Sequence, residues 1–108
     1  MPQIESLEQE WVTLSTDKIS QLPESAGIYE LGDLNRKTIY IGIAHNLNRH
    51  LWKYLDTDSA CLRKAKFFRV SINPNLQAGE LYLFHQYKDE NDGHIPRCNR
   101  RDPTRKIL

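Results

Sequence analysis

The chain of 108 residues carries 15 basic and 14 acidic side chains, and 39% of its residues are hydrophobic, a composition typical of one small folded domain. It contains neither an apolar run approaching the roughly 20 residues of a membrane span nor the basic and then apolar start of a secretion signal, so we expect neither. Its two distant cysteines, Cys61 and Cys98, predict neither a disulfide framework nor a zinc module, and the cytoplasm is therefore the expected location.

The charges nearly cancel but are distributed in blocks. Residues 1–35 carry seven acids and one base, whereas residues 36–69 carry eight bases and two acids. Residues 70–92 are again acidic, and residues 93–108 are basic. Two basic blocks around an acidic one suit a polyanion-binding face beside a carboxylate site. A solvated surface whose charges happen to cluster has the same pattern.

The predicted elements follow the order α–β–β–α–β–α. Apolar residues recur at helical spacing in residues 3–12, and residues 1–22 are interpreted as an acidic helical extension. Residues 27–31 and 38–42 are rich in β-forming side chains and flank a polar turn. These two segments predict an antiparallel hairpin.

The second half of the chain predicts two helices around a third strand. Asn46 is a suitable cap for a helix with one apolar stripe. Residues 66–72 then predict a strand, and residues 76–88 predict a helix. The expected fold is α+β, with a small three-stranded antiparallel sheet flanked by helices. We expect a single domain with its core over residues 23–99 and a basic tail over residues 100–108.

The hairpin carries two conspicuous triplets. Residues 27–29 are Gly-Ile-Tyr, and residues 40–42 are Tyr-Ile-Gly. Downstream, Glu80 lies on the last predicted helix, and the pattern closes with Pro96 and Asn99. In this order the motifs resemble those of the GIY-YIG endonuclease family across nearly the whole predicted core. The resemblance implies an endonuclease that hydrolyses DNA phosphodiester bonds with Mg²⁺ or Mn²⁺.

The resemblance also implies roles for individual residues. Tyr29 and Tyr40 would transfer protons, Glu80 would hold the metal, and a cation on the helix after the hairpin would stabilise the phosphate. Because Tyr29 and Tyr40 lie on neighbouring strands, their hydroxyls can converge on one face. The residues expected to order the site are Gly27, Gly42, Tyr54 and Asn99. Those expected to bind nucleic acid are Lys53, His45, Arg97, Arg100 and Arg101.

The sequence departs from the family at the catalytic cation. The family's arginine usually lies ten residues after the first tyrosine of the second triplet, and here that position is His50, next to Arg49. Three outcomes are open: His50 acts as a cation or a neutral donor, Arg49 reaches across, or the site is inactive. Tyr54 stands where some family members carry a proton-transfer residue, and packing in the core accounts for it equally well.

Three functions are therefore open. The first is a GIY-YIG nuclease acting on DNA, with branched or damaged DNA among the candidate substrates. The second is a catalytically degenerate module of the same fold that binds nucleic acid, which the histidine at position 50 favours. The third is a protein-interaction domain that uses the acidic residues 1–35. A partner protein or a second copy of the chain is a candidate source of specificity, and no membrane contact is expected.

Overall fold

The computed structural model describes residues 10–105, with four strands in one antiparallel sheet. The predicted α+β architecture is confirmed, and the sheet has a short strand that the sequence pattern did not predict. This strand, β1, pairs with the start of β4. The strand order is β1-β4-β2-β3. In chain order the elements are β1 (Val12–Thr13), α1 (Thr16–Ser20), β2 (Gly27–Gly32), β3 (Thr38–Ala44), α2 (Leu47–His50), two 3-10 turns (Leu51–Leu55 and Leu62–Lys64), β4 (Phe67–Ile72) and α3 (Leu76–Glu90).

The register of the hairpin decides which face each triplet side chain occupies. Tyr29 pairs with Gly42, and Leu31 pairs with Tyr40. Because side chains alternate along a strand and directly paired residues share a face, both tyrosines lie on the same side of the sheet. Ile28, between the glycine and the tyrosine of the first triplet, points to the opposite side.

Apolar side chains form a core on each face of the sheet. The face that carries the tyrosines is covered by α1, α2 and the 3-10 turns, and α3 covers the other face. Since a small sheet buries little area on either side alone, both layers contribute to its stability. The first core consists of Ile19, Tyr29, Leu31, Ile39, Ala44, Leu47, Leu51, Tyr54, Ala65 and Phe68. The second consists of Ile28, Ile41, Leu83 and Phe84.

The helix after the hairpin starts as predicted but changes its geometry. The side chain of Asn46 accepts a hydrogen bond from the backbone N–H of Arg49 at 3.0 Å and so caps α2. The chain then tightens into the 3-10 turn Leu51–Leu55. Residues three apart are eclipsed in a 3-10 helix. Leu51 and Tyr54 are both buried in the same core, which a three-residue repeat favours.

The segment after α3 covers the outer edge of β3. The Asn99 side chain accepts a hydrogen bond from the backbone N–H of Ile41 at 2.9 Å and donates one to its carbonyl oxygen at 3.0 Å. The backbone N–H of Cys98 donates to the carbonyl oxygen of Ile39 at 2.8 Å. Farther along the tail, Lys88 of α3 holds Asp102 in an ion pair of 2.7 Å. The edge strand of the tyrosine hairpin is therefore paired rather than open.

The expectation that the chain contains no disulfide is wrong. Cys61 and Cys98 are joined, with their Cα atoms 5.7 Å apart. The cysteines are separated by 37 positions in sequence, and only the return of the chain along β3 brings them together. The cytoplasmic location was inferred from two unpaired thiols, and the disulfide removes that support.

The N-terminal prediction lies largely outside the described residues. Residues 3–9 of the expected helix belong to that part of the chain, and Val12–Thr13 forms β1 instead of a helical end. Within residues 10–105, no helix has the length and apolar character to cross a bilayer.

Candidate active site

Three tyrosines and a histidine meet on the sheet face that α2 covers. The hydroxyl oxygen of Tyr29 lies 3.0 Å from Nε2 of His50 and 2.5 Å from the hydroxyl oxygen of Tyr54. The ring of Tyr40 completes the group, 6.1 Å from that of Tyr29 and 6.2 Å from that of Tyr54 between centroids. We call these four residues the tyrosine–histidine cluster. The structure thus brings together residues that were selected at distant points of the sequence.

Two glycines allow this close approach. A Cβ atom on Gly42 would lie 2.5 Å from the hydroxyl oxygen of Tyr29. A Cβ atom on Gly27 would overlap the carbonyl oxygen of Ser71 and the side chain of Leu47. Both glycines of the triplets therefore stand where any larger side chain would displace a neighbour. Their expected role in ordering the site stays a prediction.

The two inner phenols of the cluster keep their protons at neutral pH. Tyr29 is only 1% exposed, and burial together with the neighbouring phenols raises its pKa well above the usual value near 10. Burial also raises the pKa of Tyr54, to about 12, although the hydrogen bond with Tyr29 opposes this rise. Tyr40 is only half-buried. Of the three phenols, it is the one that reaches the surface.

His50 belongs to the cluster, whereas Arg49 does not. The His50 ring is held by Tyr29 through Nε2, and its centroid lies 5.3 Å from that of Tyr29. Burial and the positive charge of Lys53 lower the pKa of His50, so the imidazole is neutral at pH 7. Arg49 is exposed, and within residues 10–105 no hydrogen bond, ion pair or ring contact joins its side chain to the cluster. Successive helical residues differ by about 100° in direction, which accounts for the difference.

Glu80 lies on α3, on the opposite side of the sheet from the cluster. It follows Gly79, which packs closely against Ile28. Burial raises the pKa of Glu80, and the charge of Arg101 opposes this rise. In the described part of the chain, its carboxylate makes no hydrogen bond or ion pair, and nothing joins it directly to Tyr29 or its neighbours. Glu80 and the tyrosines, to which the resemblance gives roles in one site, are therefore not joined through protein atoms.

Within residues 10–105 the half-buried Glu80 carboxylate makes no hydrogen bond or ion pair. Such a group is a suitable ligand for Mg²⁺, which keeps several waters and commonly binds one or two carboxylates with phosphate oxygens. Residues 10–105 contain no group of three or more histidine, cysteine or acidic side chains arranged to hold a metal. A metal at Glu80 would thus take its remaining ligands from water and substrate. This donor set fits Mg²⁺.

The other predicted site residues are Asn99 and a set of exposed basic side chains. Both amide hydrogen bonds of Asn99 go to the backbone of Ile41, next to the tyrosine of the second triplet, and its role in ordering the site stays a prediction. None of the predicted nucleic-acid-binding side chains is buried, and Arg101 is close enough to act on Glu80. The predicted nucleic-acid-binding residues, all exposed, are His45, Lys53, Arg97, Arg100 and Arg101.

A cavity beside Tyr54 is lined by two basic residues that the sequence did not indicate as site residues. Its volume is about 250 Å³, and Arg63 and Lys66 are among the side chains that line it. The guanidinium of Arg63 donates to the carbonyl oxygen of Thr57 at 3.0 Å. The basic block over residues 36–69 was the signal for these side chains, but charge alone did not indicate which of its members lie near the cluster.

Sequence comparisons find one family model and several curated proteins that share one name. A family model described as Domain of unknown function (DUF7508) matches residues 5–90. UvrABC system protein C of Rickettsia canadensis (strain McKiel) is 42% identical over 52 residues, which is 46% of this chain and 8% of that protein. The protein of the same name from Dictyoglomus thermophilum is 32% identical over 78 residues, 66% of this chain and 13% of that protein. The chain thus matches only a small part of these relatives.

The fold resembles that of a solved endonuclease domain. The GIY-YIG N-terminal endonuclease domain of UvrC from Thermotoga maritima, bound to magnesium as its catalytic divalent cation, superposes with a TM-score of 0.58 at 24% identity. The match covers 78% of this chain and 93% of that one. Point mutants of the same domain, with a tyrosine or an asparagine substituted, superpose equally well. These neighbours confirm the resemblance to the GIY-YIG family that the two triplets indicate.

Proposed function

Because the chain belongs to the family described as Domain of unknown function (DUF7508) and has the fold of a GIY-YIG endonuclease domain, we propose that it is an endonuclease that hydrolyses DNA phosphodiester bonds with Mg²⁺ or Mn²⁺. The supporting observation is the convergence of Tyr29, Tyr40, His50 and Tyr54 on one face. Burying four polar rings together costs free energy in a hydrophobic core, whereas such a group is typical of a functional site. Gly42 leaves the space that the Tyr29 ring occupies.

Hydrolysis requires a water oxygen to lose one proton and form a bond to phosphorus, the bond to the leaving sugar oxygen to break, and that sugar oxygen to gain one proton. Tyr40, the half-buried phenol, contacts the attacking water, and Tyr29 supports it from inside the cluster. Glu80 holds the metal ion, which when bound would stabilise the negative charge of the phosphate and the leaving oxygen. The helix that carries Arg49 and His50 faces the phosphate.

DNA would lie across the basic residues near these groups. His45, Arg97, Arg100 and Arg101 are exposed, and contacts of this kind hold a phosphate backbone without reading its sequence. A partner protein or a second copy of the chain would supply a preference for branched or damaged DNA.

The cytoplasm is kept as the proposed location, and the disulfide is the observation that weighs against it. Alkylation of free thiols in fractionated cells tests this proposal, because Cys61 and Cys98 react when they are reduced and do not react when they are joined.

A second candidate function is a nucleic-acid-binding module without catalysis. The observation in its favour is the neutral His50 at the position where a permanently charged arginine is usual, with Arg49 exposed at the surface. Such a module would bind DNA through the same basic residues, and its affinity would fall steeply with salt.

A cleavage assay separates these functions. Supercoiled plasmid and branched DNA are incubated with the protein and Mg²⁺, Mn²⁺ or a chelator. If the protein is a nuclease, it should cut DNA only with a metal ion, and Glu80→Ala should abolish the cutting. Glu90→Ala, at the exposed end of the same helix, is the control and should cut like the wild type. Salt-sensitive binding without cutting on any substrate identifies the binding module. Absence of binding at about 50 mM salt, where phosphate contacts are strong, leaves only a protein-interaction role.

The separation between Glu80 and the cluster has its own test. If both serve one active site, Mn²⁺ bound at Glu80 together with a short DNA duplex broadens the NMR resonances of the His50 ring by paramagnetic relaxation. Broadening confined to α3 would show that the metal residue and the cluster act apart, and the proposed mechanism would then be wrong.

A further inference from the structure

The cluster contains no permanently charged side chain, although phosphoryl transfer develops negative charge on the phosphate oxygens that catalysts compensate with a cation. His50 is neutral at pH 7 because of burial and a nearby positive charge. Its Nε2 is already engaged by Tyr29 at 3.0 Å. Within residues 10–105, its Nδ1 has no hydrogen-bond partner. His50 therefore offers the phosphate one nitrogen and no charge.

A positive charge beside the cluster belongs to Lys53. Its ammonium nitrogen lies 5.4 Å from the ring centroid of Tyr54, and its charge acts on His50. Lys53 is exposed, so its ammonium is available to a substrate. Arg49 satisfies none of these conditions apart from exposure.

The local backbone explains why Lys53 holds this position. The 3-10 turn Leu51–Leu55 follows directly on His50, and residues three apart in such a turn point in the same direction. In a continued α-helix, Lys53 would be rotated about 60° from His50. The change of geometry after α2 brings Lys53 toward the direction of His50, and the burial of Leu51 and Tyr54 maintains that geometry.

We propose that Lys53 is the cation that stabilises the transferring phosphate in this protein, acting beside the free nitrogen of His50 and taking the place of the arginine that position 50 lacks. The proposal rests on the nuclease function proposed above and deepens it. An ammonium is a compact charge that binds phosphate without the planar fork of a guanidinium. Lys53 makes only an ionic contact, so no proton or bond changes at its side chain.

Kinetics on a metal-activated cleavage substrate test this assignment. Lys53→Met is expected to lower kcat by about 10²–10³-fold, the usual effect of removing one group that stabilises a transition state, with KM changed far less. Lys53→Arg is expected to keep most of the rate. Lys64→Met, in the second 3-10 turn of the same basic block, is the matched control for loss of a surface charge, and its kcat is expected to match that of the wild type.

A second-site substitution provides an independent readout. If the missing charge is the defect, His50→Arg in the Lys53→Met background restores at least part of kcat, because the arginine returns to the position that the family uses. Lys53 is exposed, so thermal melting of Lys53→Met should match that of the wild type and exclude misfolding.

The outcomes separate this inference from the proposed function. Cutting by the wild type with an unchanged kcat in Lys53→Met overturns the role of Lys53 and leaves the nuclease standing. If Lys53→Met changes only KM, and by as much as Lys64→Met does, Lys53 is a binding contact and its proposed role in stabilising the transition state is wrong as well. If the wild type does not cut at all, both the nuclease and this role are wrong.

Discussion

Asn99→Ala removes the side chain that closes the outer edge of the tyrosine hairpin. The substitution deletes two hydrogen bonds, of 2.9 and 3.0 Å, to the backbone of Ile41. Each such bond contributes about 0.5–1.5 kcal/mol, so the free energy of unfolding should fall by about 1–3 kcal/mol. Ile41 is only 2% exposed, so water cannot freely replace the lost partners, and the upper half of that range is expected.

The loss is measured by urea and thermal unfolding followed by circular dichroism. In a domain of this size, each kcal/mol lowers the melting temperature by about 4–8 °C. The matched control is Asn35→Ala in the exposed hairpin turn, where the change should stay within about 0.5 kcal/mol. An Asn99→Ala variant as stable as the control would show that the tail does not support β3, and the structural role of the closing motif would be refuted.

Asn99→Asp sharpens the test because it keeps the shape of the side chain. At neutral pH the carboxylate still accepts from the N–H of Ile41, but it faces the carbonyl oxygen to which the amide donated. Protonation restores a donor, so the pKa of the new carboxyl in the folded state should lie above the ordinary value of about 3.9. A raised pKa means that the added stability is present at low pH and is lost as the pH rises through the folded value. The variant should therefore approach the wild type near pH 3.5 and fall below it at pH 7.

Three further predictions concern stability. Replacing Cys61 with serine opens a loop of 37 positions and should cost about 4 kcal/mol in the chain-entropy account; unchanged melting with and without reductant would contradict it. Gly42→Ala places a Cβ against the Tyr29 phenol and should cost about 1–3 kcal/mol in urea unfolding. Lys88→Met is expected to change the pKa of Asp102. In the wild type, burial would raise that pKa, but hydrogen bonds from Lys88 and Thr104 lower it to about 2. Because a lowered pKa supplies stability that is lost as the pH falls toward 2, the wild type should lose more stability than Lys88→Met between pH 5 and 2 in acid-unfolding curves.

The hairpin and its tyrosine face followed from the sequence alone. Alternation of side chains is a local property of a strand, so two triplets on paired strands are enough to place Tyr29 and Tyr40 on one side. Capping by Asn46 and the apolar spacing of α3 are equally local. For this reason the α+β architecture was correct except for the two-residue strand β1, whose pairing with β4 leaves no local pattern.

The tertiary structure decided the contacts that depend on how distant segments return to the sheet. The disulfide exists because the tail runs back along β3, a closure that spacing in sequence does not reveal. His50 rather than Arg49 joins the cluster because the two residues point in different directions on α2. The position of Lys53 depends on the chain tightening into a 3-10 turn that buries Leu51 and Tyr54. The sequence by itself determined the alternating strands and the residue types of the site. Packing on both faces of the sheet decided which of those residues meet. The burial of apolar surface stabilises contacts between distant segments, and the periodicity of a single helix or strand does not predict such contacts.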